Sequence, residues 1–133
     1  MDNATQILII GGMLILTYGF FLGIPNGLST RGSIKGSSVP DGCTPCSVNS
    51  GGMLLALTIA FDFLNLASWI KTVAATLFVG GVILFDLGLT LNWLQGVQDA
   101  FEKKSFGYKI SSAGTPLVLI SAAIVVYGVF SAL

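Results

Sequence analysis

The chain has 133 residues, of which 53% are hydrophobic and 9% charged, against about 25% charged in an ordinary soluble domain. So thin a polar shell cannot keep a water-facing globule in solution, and six basic residues against six acidic ones leave no field to gather nucleic acid. These figures predict a single all-α domain in the membrane, an antiparallel bundle of four transmembrane helices, because four spans of ~20 residues take up ~80 positions and leave the rest to loops.

The first apolar segment covers 5–24. No basic stretch or small-residue cleavage site precedes it, so it reads as a retained helix and not as a signal peptide. Asn3-Ala4-Thr5 fits a glycosylation sequon, a motif short enough to arise by chance. Pro25-Asn26-Gly27 predicts the stop, since proline removes a helix hydrogen bond and glycine opens a turn. Residues 25–50 are rich in Gly, Ser, Pro and Asn, carry Arg31, Lys35 and Asp41, and read as an extramembrane loop. The second and third helices are expected over 51–69 and 72–96; the few residues around Lys71 that part them require antiparallel neighbours. A second extramembrane loop, 97–113, carries Asp99, Glu102, Lys103, Lys104 and Lys109, with an amphipathic piece at Val97, Ala100 and Phe101. The fourth helix is expected over 114–133, with Pro116 in its first turn, where a missing N–H does no harm. Trp69 and Trp93 fall near opposite ends of the central hairpin, at the depth indole rings prefer.

Two cues address orientation in a plasma or inner membrane, and they oppose each other. Five of the six basic residues lie in 25–50 and 97–113, which places both termini outside by the positive-inside rule. Cys43-Thr44-Pro45-Cys46 in the first of those loops is easiest to explain as a disulfide in an oxidising compartment.

Asp62 and Asp86 are the strongest chemical signal, because a carboxyl group in hydrocarbon costs several kcal/mol. Counted from Gly52 and Gly96, each lies ~15 Å in from the same side, near the midplane of adjacent helices. Thr58, Asp62 and Asn65 share one stripe and Asp86 and Thr90 another, so one polar seam is expected. Such a seam serves as a clamp between helices, a shared proton or cation site, or an acid for a buried substrate. Alternatively, either Asp pairs with a basic residue of another chain.

Cys43 and Cys46 have thioredoxin-like spacing, and read either as a structural disulfide or plain thiols or as a redox pair. With two cysteines and no histidine, the chain cannot complete a zinc site of about four ligands alone, and no metal site is expected. The missing histidine also removes the commonest general base and haem ligand. Gly19 and Gly23 form a GxxxG step, Gly80-Gly81 is expected to break the third helix, and Gly128 with Ala132 marks a small face on the fourth; these read as packing within the bundle or against another chain.

Gly19 to Pro25 at the close of the first helix, Gly51-Gly52-Met53-Leu54-Leu55-Ala56-Leu57 at the opening of the second, and Asn92-Trp93 late in the third resemble the small four-helix membrane isomerases of the hydroxylaminobenzene mutase and styrene oxide isomerase group. The resemblance implies the same four-helix fold. That family has a histidine near the start of the second helix, where this chain has Pro45, Cys46 and Ser47. Haem is therefore not an expected cofactor and no catalytic residue carries over.

The leading expectation is a non-catalytic subunit or assembly factor of a larger membrane complex, in contact with lipids and with other subunits or further copies of itself. The alternatives are a membrane isomerase for a small hydrophobic substrate, and a proton- or cation-coupled carrier using the two acids.

Overall fold

The computed structural model describes residues 2–29, 43–95 and 105–132, leaving aside the side chains of 22–29, 43–46 and 93. Among these residues the chain is all helical: α1 (Asn3–Ser29), α2 (Cys43–Phe63), α3 (Ser68–Leu94) and α4 (Phe106–Phe130). Three stretches, Asn3–Phe21, Ser68–Asn92 and Phe106–Phe130, are long and apolar enough to cross a membrane. The apolar part of α2, Ser47–Phe63, is shorter.

The helix ends depart from the hydropathy reading for local reasons. α1 continues through Pro25–Gly27 to Ser29: proline forfeits one hydrogen bond, and so near a helix end that loss does not stop the coil. α2 starts at Cys43 and stops at Phe63, so both cysteines belong to its first turn rather than to a loop; their side chains lie outside the described residues. Asn65 falls off the helix, and Ser68 opens α3, short polar side chains of the kind that compete with helix hydrogen bonds. The Lys71 ammonium, one turn into α3, donates at 3.2 Å to the Phe61 carbonyl near the end of α2, which also accepts from the Leu64 N–H at 3.4 Å. α4 begins at Phe106, since Ser105 caps it by accepting from the Tyr108 N–H at 3.1 Å. Lys109 thus sits exposed on the first turns of α4, and Pro116 lies well inside that helix. α3 runs unbroken through Gly80-Gly81. Trp69 and Trp93 stand near the two ends of this one helix, ~36 Å apart.

Small residues set the packing. Gly12 meets Gly51 and Leu55, while Gly19 meets Ser47 and Val48, so positions that rise along α1 fall along α2. On the other side Ser121 donates to the Ala74 carbonyl at 2.7 Å, Gly81 sits against Gly114 and Val118, and Gly88 against Gly107 and Ser111. Along α1 and α3 the numbers rise together: the Ser68 hydroxyl donates to the Asp2 carboxyl at 3.0 Å, Gly11 lies on Val79, and Tyr18 bonds Thr90. Gly128, near the end of α4, abuts Leu64 and Leu66 in the α2–α3 connection. Leu8, Leu54, Phe61, Ala74, Phe78 and Val82 fill the centre, whereas Phe20, Phe21, Ile59, Phe63, Leu119 and Phe130 all lie more than half exposed on the outside.

Candidate functional site

The two acids are not brought together. Asp62 is exposed one residue from the end of α2. Asp86 is only 3% exposed, and on α2 it has Ser47 beside it, about four turns or ~22 Å along the helix from Asp62. The expected seam counted depth from Gly52, but α2 begins at Cys43, which carries Asp62 to the far end. Asp86 itself lies ~9 Å along the helix from the Asn92 end of its apolar stretch, halfway between that end and the middle. Thr58 turns its hydroxyl back onto the Leu55 carbonyl at 2.6 Å, and Asn65 is exposed in the connection.

Asp86 and Thr90 stand one turn apart on α3, and Thr90 turns toward α1. The Thr90 hydroxyl donates to the Asp86 backbone carbonyl at 2.9 Å. A hydroxyl has one proton, so in its 2.5 Å hydrogen bond with Tyr18 Thr90 accepts and the phenol donates. Tyr18 and Asp86 line one cleft of about 170 Å³ between α1 and α3, walled otherwise by Leu14, Ile15, Ile83 and Leu87. Leu14, Ile83 and Leu87 are also exposed on the flank of the molecule, so the cleft opens sideways. Although Ser47 stands close by, its geometry completes no hydrogen bond to the acid: both Asp86 side-chain oxygens are buried without a partner, the only such side-chain atoms among the described residues.

Hydropathy averaging passes over Tyr18 because tyrosine counts as apolar, though its spacing of four from Leu14 places both on one face of α1. It passes over Asn92 because apolar neighbours in the same window outweigh one polar residue. Asn92 is buried and accepts from the Ser105 hydroxyl at 2.5 Å, so it ties the end of α3 to the cap of α4 instead of serving a site. The glycines are spent internally as well: Gly19, Gly81 and Gly128 press against neighbouring helices or connections, while Gly80 faces open space. The side of Gly23 lies outside the described residues. Among the described residues no three His, Cys, Asp or Glu side chains gather around a possible metal.

No protein-family model, curated protein or solved structure matches this chain.

Proposed function

We propose that this is a small multi-pass membrane protein, an antiparallel bundle of four helices in which Asp86 binds a cation or proton and carries it. Membrane insertion is supported by three long apolar stretches and by an outer surface of Phe, Leu and Ile far larger than water-soluble monomers expose. The opposed numbering across α1/α2 and α3/α4 contacts supports the antiparallel arrangement.

The observation that carries the functional reading is the unanswered carboxyl group of Asp86, buried at the edge of a sideways-opening cleft. A polar group in hydrocarbon costs several kcal/mol unless something meets it, and a cation is the natural complement to an acid. The carrier expected from a pair of acids rests here on Asp86 alone, because Asp62 lies exposed at the far end of α2; an isomerase with Asp86 as its one acid or base would draw on the same cleft. A subunit relying on glycine faces loses support because Gly19, Gly81 and Gly128 already meet groups of this chain. One form of the subunit reading keeps a specific basis: a basic side chain of a neighbouring protein could enter the same cleft and answer Asp86.

Reconstitution of the purified chain into liposomes tests the carrier. Proton or monovalent-cation flux above that of empty vesicles is expected, falling to background in Asp86→Asn and unchanged in Asp62→Asn. Wild-type vesicles as tight as empty ones, or undiminished flux in Asp86→Asn, would refute it. Co-purification of a second protein at fixed stoichiometry, lost in Asp86→Asn, would transfer support to the subunit.

A further inference from the structure

We infer that the cleft between α1 and α3 takes a small lipophilic organic ammonium ion, with Asp86 as its counter-ion. The inference rests on the cation-carrier reading and names its substrate class.

The donor set decides between kinds of cation. A bare metal ion must replace its water shell with oxygens, about six for hard divalent ions. Among the residues that line the cleft, only Asp86, whose carboxyl group is buried at its edge, and Tyr18 carry side-chain oxygens, and the other four are Leu14, Ile15, Ile83 and Leu87. Those aliphatic walls would strip hydration and return nothing. An ammonium group asks for less: it has three N–H donors, no more than the side-chain oxygens of these two residues could answer. The phenol oxygen can accept because its own proton is committed to Thr90. The hydrocarbon part of the ligand then meets the four aliphatic side chains, and the aromatic ring of Tyr18 adds the attraction of a π system for a cation.

Size and access agree with this assignment. A volume of about 170 Å³ is close to the ~150 Å³ apolar cavity that accommodates benzene and below the ~300 Å³ at which drug-sized sites begin. One six-membered ring or a short branched alkyl group fits. The mouth lies among Leu14, Ile83 and Leu87, exposed on the apolar flank, so a ligand that partitions into lipid reaches Asp86 sideways without crossing the helix ends.

Benzylammonium is a suitable probe, with benzyl alcohol as its neutral analogue and sodium as its inorganic competitor. For the full chain in lipid nanodiscs, ligand-observed NMR is expected to show benzylammonium binding that neither benzyl alcohol nor sodium displaces. Asp86→Asn is expected to weaken it about 10- to 100-fold, the range for losing a charge-assisted hydrogen bond. Leu87→Trp, which fills the cleft and keeps the acid in the chain, is expected to abolish binding with helical circular dichroism unchanged; it decides the matter if Asp86→Asn fails to fold. Full affinity in either folded variant overturns the assignment. Absence of benzylammonium binding alongside Asp86-dependent sodium or proton flux overturns the ammonium assignment alone, and absence of both binding and flux overturns the carrier reading with it.

Discussion

The α3–α4 seam makes a prediction in which the same substitution has opposite signs at different glycines. A Cβ on Gly88 would fall 2.6 Å from the Gly107 carbonyl oxygen and equally close to the backbone nitrogen of Ser111. On Gly114 it would fall 2.5 Å from the Gly81 carbonyl oxygen. These are backbone atoms of a packed helix, so relief requires moving the helix rather than turning a side chain. Overpacking of this kind costs ~1–3 kcal/mol, and rigid neighbours put it at the upper end. Alanine gains ~1 kcal/mol over glycine in helix propensity, leaving a net loss of about 2 kcal/mol for Gly88→Ala and Gly114→Ala. Gly52 and Gly80 meet nothing within 4 Å of an added Cβ, so Gly52→Ala and Gly80→Ala keep the ~1 kcal/mol gain. Equilibrium unfolding in mixed micelles, followed by helical circular dichroism, separates the two classes by about 3 kcal/mol. If Gly88→Ala and Gly114→Ala proved as stable as Gly52→Ala, the close seam would be disproved.

Three further substitutions probe how the polar groups are used. Ser121→Ala removes the donor to the Ala74 carbonyl and should cost ~1 kcal/mol in the same unfolding assay; no loss would show that α4 does not rely on that bond. Asn92→Ala leaves the Ser105 hydroxyl without its acceptor and should cost ~1–3 kcal/mol. Its loss should fall on the start of α4, read as faster amide exchange at Tyr108 and Lys109 than at Val125, and uniform exchange would argue against the anchor. Asp86→Leu should raise stability by ~1–3 kcal/mol by removing a buried group without a partner, while abolishing cation flux. A less stable Asp86→Leu would mean that the acid is already answered within the chain.

Four helices and their apolar character were legible from hydropathy because each segment is nearly free of charge and three of them are long. Their ends were not. Pro25 did not stop α1, whereas Asn65 and Ser68, unremarkable on any hydropathy average, mark the true boundary between α2 and α3. Polar caps act through single hydrogen bonds, such as Ser105 to Tyr108, and a windowed average erases them. The cost of that erasure is visible in the site. A start of α2 at Cys43 instead of Gly51 moved Asp62 by about two turns relative to α3, enough to dissolve a pairing that depth alone had suggested. The place of Thr90, one turn from Asp86 on α3, was readable because it depends only on i, i+4 spacing within one helix. Its partner Tyr18 belongs to α1, and no spacing along the chain announces a contact between α1 and α3.

Among the described residues, what distinguishes Asp86 from the other buried polar side chains is that neither of its carboxyl oxygens has a hydrogen-bond partner. Thr58 and Thr90 bond back to their own helices, Ser121 reaches Ala74, Asn92 holds Ser105, and Lys71 meets the end of α2. Each of these bonds contributes only ~1 kcal/mol, and each could be made by many sequences. A buried carboxyl group with nothing to meet it works against a fold whose total margin is only ~5–15 kcal/mol. Leucine at position 86 would continue the aliphatic wall that Ile83 and Leu87 already form. An acid there is understandable as a stability cost exchanged for function, which is why loss of flux together with gain of stability at this one position is the signature that a purely structural role for Asp86 cannot produce.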